Sequence, residues 1–187
     1  MTKKTLRNSL WAILALCACV VIVVYMVGGD RAEMDDMGVP PGNSNRYTVE
    51  SPVYLYFQDR KLALLCPEER LIAHPETPVE FARTIIEWLI RGPRQGLVRT
   101  LPGESVLRAL YIHEETAFVD LSQETCDNHP GGVQTEYLTI VSIANSLILN
   151  IPEIKRVKII IEGRECETLA GHIDISQPFS ANMLLVR

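Results

Sequence analysis

The sequence predicts an α+β fold, a two-layer sandwich of two helices on a mostly antiparallel mixed sheet, preceded by one N-terminal transmembrane helix. Three observations predict it. Apolar residues recur at helical spacing in two segments, 77–91 and 134–150. Paired β-branched and aromatic segments flank these helices in the order ββ, α, ββ, α, ββ. An uninterrupted apolar run, 10–27, precedes all of them.

The apolar run Leu10–Val27 predicts a membrane span. As a helix it is about 27 Å long, close to the hydrocarbon core of a bilayer at about 30 Å. Lys3, Lys4 and Arg7 precede it, whereas acidic residues dominate the segment that follows. The positive-inside rule then places residues 1–9 in the cytoplasm. We therefore predict a single-pass signal anchor in a bacterial inner or cytoplasmic membrane, with the remaining chain on the periplasmic or extracytoplasmic side.

Two other fates of this run stay open. Leu16-Cys17-Ala18-Cys19 is similar to a bacterial lipobox, in which Cys19 is the position of lipidation. A cleaved signal peptide is the third fate, although no pair of small residues precedes a polar start near Val27. The anchor and the lipoprotein both leave the product tethered to a membrane.

The segment that follows the run separates it from a domain. Residues 28–50 are rich in Gly, Pro and Asn and lack periodicity, which predicts a flexible linker. A coil of this length has an end-to-end distance of about 25 Å. Residues 51–187 then form the single folded domain.

Composition excludes several classes of function. The hydrophobic fraction of 47% is too high for a disordered chain. Asp and Glu number 23 against 18 Lys and Arg, which disfavours binding of nucleic acid through bulk charge.

Cys66, Cys126 and Cys166 are an odd number of thiols, so the domain forms at most one internal disulfide. The Cys126–His129 spacing lacks a second ligand pair, and we predict no metal and no cofactor.

The first half of the domain predicts a hairpin and a helix. Residues 52–58 read as a strand, and 61–66 as its return, with an extension at 71–73. Thr77 is the predicted cap of a helix that runs to Arg91. Gly92 and Pro93 end this helix.

The second half predicts a second hairpin, a helix and a third hairpin. Residues 105–112 and 116–121 form the second hairpin, with Val106, Arg108, Leu110 and Ile112 on one face and Leu107, Ala109 and Tyr111 on the other. Residues 122–132 are a predicted loop before the second helix. The third hairpin is predicted from residues 156–161, the turn 162–165 and two short segments, 166–169 and 173–175.

An ordered set of segments resembles the GerMN domain of the spore-germination protein M family. The segments are Leu89–Pro93 with the 96–102 loop, Thr116–Leu121, Glu136–Thr139, Val157–Gly163 and Glu167–His172. The set covers most of residues 51–179. The resemblance implies an α/β domain similar to the ring-building motif of sporulation and secretion-channel proteins, which self-associates or binds envelope partners. It carries over no catalytic residue.

The predicted function is therefore a membrane-anchored, non-catalytic structural or protein-interaction module in cell-envelope, sporulation or germination assembly. G-x-S-x-G, S-x-x-K and phosphate-cradling motifs are absent from the domain. Two alternatives remain: a module that binds an envelope ligand such as peptidoglycan, and an envelope hydrolase. The expected partners are the membrane, an envelope protein or a second copy, and not nucleic acid.

Two sets of residues stand out as candidates. Basic residues cluster after the first helix and before the last hairpin, and we predict that they form a docking patch for an acidic partner or an anionic polymer. This patch comprises Arg91, Arg94, Arg99, Lys155, Arg156 and Lys158. The second set has predicted structural roles and comprises Gly92, Pro93, Pro102, Asp120, Gly163, Gly171 and His172.

Overall fold

The computed structural model of the chain describes residues 50–73 and 77–187. The predicted membrane span 10–27, Cys19 and the predicted linker except for its last residue lie outside these ranges. In the two described ranges, no helix is both long and apolar enough to cross a bilayer.

The first two strands form a hairpin. β1 (Glu50–Gln58) pairs antiparallel with β2 (Leu65–Ala73) along its whole length. Val53, Leu55 and Phe57 alternate along β1 and are all buried. This alternation is the period-two pattern of a strand with one buried face. The strand that the aromatic and β-branched residues predict is therefore confirmed.

The return strand begins later than predicted. Residues 60–64 are bends instead of a strand. The side chain of Asp59 accepts the backbone N–H groups of Lys61 and Leu62 at 2.7 and 2.9 Å, which holds these residues in a turn. The predicted return strand and its extension at 71–73 are confirmed, but the start at residue 61 was wrong, because pairing begins at Leu65.

The first long helix follows the prediction. α1 (Pro78–Arg91) begins after Thr77, whose side chain accepts the N–H of Glu80 at 3.2 Å. Gly92 ends the helix with φ 87°, in the left-handed region that favours glycine.

A second, three-stranded sheet contains β3 (Leu107–His113), β4 (Thr116–Leu121) and β5 (Arg156–Ile161). The strand order is β3-β4-β5, with the first pair antiparallel and the second parallel. The prediction of α+β with mixed pairing is confirmed, but the strands form two sheets instead of one.

A bulge in β3 changes which side chains face the core. The register between β3 and β4 shifts between Leu107 and Ala109, so Arg108 has no opposite residue. Leu107 therefore lies opposite Leu121 and packs against the core, whereas Arg108 is exposed. The prediction that Arg108 shares a face with Leu110 was wrong for this reason.

Two further helices follow β4. The short α2 (Glu124–Asp127) lies in the segment predicted as a loop, and α3 (Val133–Ile148) is the predicted second helix. A 3-10 turn, Met183–Leu185, lies near the end of the chain. After β5 the predicted return at 166–169 and 173–175 forms only isolated bridges, so the third hairpin is absent from the described chain.

The core joins both sheets through the helices. α1 contacts β1 and β3, and α3 contacts β1, β5 and α1. Every residue of α3 from Leu138 to Leu147 is buried. A helix buried on all sides is typical of the centre of a domain, and α3 occupies that position here.

Candidate functional site

Four of the exposed large apolar side chains lie on three neighbouring segments. Leu62 is in the turn between β1 and β2, Val133 begins α3, and Met183 and Leu184 belong to the 3-10 turn. Their exposed fractions are 45%, 58%, 54% and 91%. We call these four residues the Leu184 surface. A cluster of exposed apolar side chains is a common mark of an interaction site.

A groove of about 410 Å³ lies between the same segments. Its walls are almost entirely apolar, with one amide side chain, and it is lined by Ala63, Val133, Gln134, Tyr137, Leu138, Ile173 and Leu185. The Tyr137 hydroxyl accepts a hydrogen bond from the Asn182 side chain at 3.0 Å. The groove therefore presents mainly carbon to a ligand, which suits an apolar side chain.

The C-terminal segment is held firmly beside this groove. Asn145 and Asn182 exchange two hydrogen bonds, at 2.8 and 3.0 Å, between the side chain of the first and the backbone of the second. The Arg187 guanidinium donates to the Asp59 carboxylate at 2.7 Å, and the backbone N–H of Arg187 donates to the backbone oxygen of Leu65 at 2.9 Å. Leu184 is thus exposed on a segment fixed on both sides.

Asp59 joins the C-terminal segment to the β1–β2 turn electrostatically. The N–H groups of Lys61 and Leu62 and the Arg187 guanidinium together lower the pKa of the Asp59 carboxyl. The carboxylate therefore stays ionised, and it holds the turn and the C-terminal segment together.

A buried carboxylate positions the loop that supplies Ile173. Glu136 on α3 is fully buried. Its Oε1 accepts the N–H groups of Leu169 and Ala170 at 2.9 and 2.8 Å, and its Oε2 accepts the N–H of His172 at 2.9 Å. These donors bind a carboxylate instead of a strand, which explains why the predicted third hairpin is absent.

The ionisation of Glu136 reflects two opposing effects. Burial raises its pKa, but the N–H groups of the 170–173 loop and the His172 ring, 3.1 Å from Oε2, hold it below its ordinary value. The carboxyl is therefore charged at neutral pH. His172 thus contacts the buried carboxylate from the protein surface.

His129 is part of a second polar group near α3. Its Nδ1 accepts the N–H of Gly131 at 3.0 Å, so Nε2 carries the proton of the neutral ring and donates to Thr139 at 3.0 Å. Burial lowers the pKa of His129, which favours this neutral form. Thr139 donates in turn to the backbone oxygens of Thr100 and Thr135.

The thiols are not arranged as nucleophiles. Cys66, Cys126 and Cys166 are free and partly buried. Burial raises the pKa of Cys126 to about 11, and burial together with Asp59 raises that of Cys66. Among the described residues, no three Cys, His, Asp or Glu side chains come together as metal ligands.

Comparison with known proteins identifies the family. Residues 53–167 match the Germane family model, which is described as sporulation and spore germination. The chain belongs to the Germane family. A search of curated proteins finds no match to it.

Three solved structures resemble this Germane chain, each over 70% of its length. A candidate lipoprotein of Clostridium perfringens is 25% identical, with a TM-score of 0.52 and 87% of that chain covered. The first GerMN domain of the Bacillus subtilis sporulation protein GerM is 22% identical, with a TM-score of 0.55 and 97% covered. The tandem GerMN domains of GerM are 21% identical, with a TM-score of 0.58 and 46% covered, so this Germane chain spans about half of that protein. The two GerM likenesses show the fold.

The family match contains Glu136 but ends before its loop partners. Leu169, Ala170 and His172 follow residue 167, as does the whole 3-10 turn. Part of the Leu184 surface therefore lies outside the matched Germane region.

The predicted basic patch is divided in this Germane chain. Lys158 is buried, and its ammonium donates to the backbone oxygens of Ile175 and Ser176. The prediction that Lys158 belongs to a surface patch was therefore wrong. Arg99 is exposed, but its guanidinium bonds the backbone oxygens of Ile90 and Arg91 at the end of α1.

The other four basic residues are exposed but form two separate groups. Arg91 and Arg94 lie at the end of α1, whereas Lys155 and Arg156 donate their N–H groups to Glu115 beside the β3–β4 turn. No hydrogen bond or ion pair in the described ranges joins the two groups. Their role in docking stays a prediction.

The residues with predicted structural roles lie in turns and at element ends. At Gly92 a Cβ atom would come within 2.9 Å of the Arg99 guanidinium. Asp120 accepts the N–H of Gly163 at 2.9 Å, in a turn where Gly163 has φ 72°. The other four lie in similar positions. Pro93 directly follows Gly92, and the backbone oxygen of Pro102 accepts the N–H of Ser105. Gly171 has φ 94°, and His172 contacts Glu136.

Sequence reasoning missed the Leu184 surface. Residues 178–187 carry no periodic pattern, so their contact with α3 and β2 was not predictable from spacing. Leu184 followed by Leu185 in a segment without a predicted element was the only signal.

Proposed function

We propose that this chain is a membrane-anchored, extracytoplasmic protein-interaction module that acts in cell-envelope assembly linked to sporulation or germination, without catalysis. The apolar run 10–27 or lipidation of Cys19 supplies the anchor. Membership of the Germane family and the likeness to a candidate lipoprotein support this setting.

The Leu184 surface carries the proposal. Val133 lines a groove of about 410 Å³, and Leu62, Met183 and Leu184 belong to segments whose neighbouring residues Ala63 and Leu185 also line it. This volume suits one or two apolar side chains of a protein partner. Arg60 and Lys61 are exposed in the turn beside Leu62, so we expect acidic residues next to the apolar side chains of the partner. A carbon-lined groove is less suited to the hydroxyl groups of a glycan.

Photo-cross-linking in intact cells tests this function. A benzophenone amino acid replaces Leu184 in the full chain, and a second strain carries it at Leu71, which is 57% exposed on β2 outside the groove. We expect one protein to cross-link reproducibly at position 184 and not at 71. The same protein, purified, should bind the full chain in detergent.

The variant Leu184→Asp tests whether binding depends on the apolar surface. An aspartate at this exposed position leaves the core intact but introduces a charge into the apolar surface, so binding should fall about ten-fold or more. Leu71→Asp is the matched control and should bind as the unchanged chain does. Equal cross-linking at both positions, or binding that Leu184→Asp leaves unchanged, would refute this function.

A further inference from the structure

β3 has an open edge. In residues 50–73 and 77–187 it pairs with β4 alone. The two-residue turn 114–115 makes His113 and Thr116 a hydrogen-bonded pair, so the N–H and C=O groups of Leu110 and Ile112 point away from β4. A row of unpaired N–H and C=O groups on an edge strand is a template for another strand.

A groove of about 240 Å³ runs beside the start of this edge. α1 forms one wall and the segment entering β3 forms the other, and the lining residues are Glu87, Ile90, Arg91, Ser105, Val106 and Leu107. Val106 is 55% exposed, while its backbone is fixed by two hydrogen bonds to Ser122. A helix beside an open strand is the geometry by which several domains bind extended peptides.

One wall of the groove holds an unmatched polar atom. Ser105 is 4% exposed, and its buried hydroxyl has no hydrogen-bond partner among the residues that the structure describes. Buried hydroxyl groups are almost always bonded, because an unmatched one costs free energy. A polar group of a bound chain is what this wall lacks.

The charge at the end of the groove indicates the chemistry of the bound chain. The Arg91 side chain is 70% exposed, and its ion pair with Glu87 spans 4.0 Å. The Arg99 guanidinium binds the same helix end. A carboxylate in a bound segment would therefore meet a largely unneutralised guanidinium.

We propose that the groove between α1 and β3 binds an extended segment of a partner protein, which adds to the sheet as a fourth strand beside β3 and places an acidic side chain against Arg91. This inference rests on the proposed function as an interaction module, but it concerns a surface separate from Leu184. Cross-linking at Leu184 is therefore informative even where strand addition fails.

Peptide selection on the full chain in detergent tests the proposal. The probe is a library of random decapeptides displayed on phage, and enriched sequences are synthesised. We expect alternating apolar residues with one acidic residue. Binding should slow amide hydrogen exchange at Leu110 and Ile112 about ten-fold or more, because these N–H groups gain partners.

Matched variants locate the peptide. Arg91→Glu should weaken binding about ten-fold or more, whereas Arg94→Glu, at an exposed residue outside the groove lining, should change it less than two-fold. Ser105→Ala should weaken binding. Thr125→Val removes a second unmatched buried hydroxyl of the described ranges, away from the groove lining, and should leave binding unchanged. Circular dichroism checks that all four variants fold.

Four outcomes would overturn the proposal. They are a selection that enriches no sequence, peptides that protect other amides, amides of Leu110 and Ile112 that already exchange slowly in the free chain, and equal binding by the Arg91 and Arg94 variants. Protection that rises with protein concentration and without peptide would assign the edge to a second copy instead.

Discussion

The hydroxyl of Ser146, in α3, accepts the backbone N–H of Tyr56, in β1, at 3.0 Å. Ser142 donates to the C=O of the same residue at 2.5 Å, and Asn150 exchanges hydrogen bonds with Tyr54 at 2.8 and 3.0 Å. Polar side chains spaced four residues apart, two in α3 and one just after its end, thus occupy the free edge of β1. The helix takes the place of a neighbouring strand.

We expect Ser146→Ala to lower the free energy of unfolding by about 1–3 kcal/mol, because it leaves the buried N–H of Tyr56 without a partner. Urea denaturation measures the change. Ser180→Ala, at an exposed position, is the control and should change it by less than about 0.5 kcal/mol. Equal effects of the two substitutions would show that the β1 edge does not depend on α3.

The sequence predicted the elements whose signals are local. Thr77 with Glu80 predicted the start of α1 correctly. The apolar residues of β5 predicted that strand with the bounds that the structure shows. Ser142 and Ser146 share a face of α3, and Asn150 follows at the same spacing just after the helix ends. Spacing alone does not indicate that a strand edge lies opposite them. Their partners are about 90 residues away in the chain.

The prediction of a third hairpin was wrong, and the candidate site was not predicted at all, for the same reason. Residues 166–175 have alternating apolar residues typical of strands, but their N–H groups bond the side chain of Glu136. Likewise the Leu184 surface unites three segments that are distant in sequence. Long-range contacts of this kind are set by tertiary packing and not by local propensity.

We expect Glu136→Gln to destabilise the domain by about 1.5–3 kcal/mol, since a neutral amide replaces the charged acceptor of several N–H groups. The pH dependence is more specific. Because the pKa of Glu136 is lower in the folded than in the unfolded chain, its stabilisation is present above about pH 4.5 and is lost as pH falls through the folded pKa.

Urea denaturation between pH 3 and pH 7 measures this dependence. Below about pH 4.5, the stability of the unchanged chain should fall more steeply than that of Glu136→Gln. The reason is that residue 136 binds a proton on unfolding only in the unchanged chain. Glu153→Gln, at an exposed residue, is the control and should keep the slope of the unchanged chain. Parallel curves for Glu136→Gln and the unchanged chain would contradict the role of this carboxylate.

Cys126 should resist alkylation in the folded chain. Its pKa of about 11 lies two units above the ordinary value of 9.0, so at pH 7.5 its thiolate fraction is about a hundred-fold smaller than that of an ordinary thiol. Mass spectrometry after iodoacetamide treatment measures the rate at each cysteine. The same residue in 8 M urea is the reference, and equal rates in the two conditions would show that burial does not suppress the thiolate.

The turn between β3 and β4 stores backbone strain that a glycine should release. Glu114 and Glu115 have φ of 44° and 60°, in the left-handed region where a side chain costs about 1–2 kcal/mol per residue. The C=O of Glu115 accepts the N–H groups of Lys155 and Arg156, which holds the turn in this conformation. These bonds use the backbone, so they survive substitution of the side chain.

Glu115→Gly should therefore raise the free energy of unfolding. A glycine also adds conformational entropy to the unfolded chain, which costs about 0.4–1 kcal/mol. Glu104→Gly, at an exposed residue without positive φ, measures that cost alone and should be destabilising. The difference between the two variants in urea denaturation should be about 1–2 kcal/mol, which isolates the strain. If Glu115→Gly destabilises the domain as much as Glu104→Gly does, the left-handed turn carries no strain.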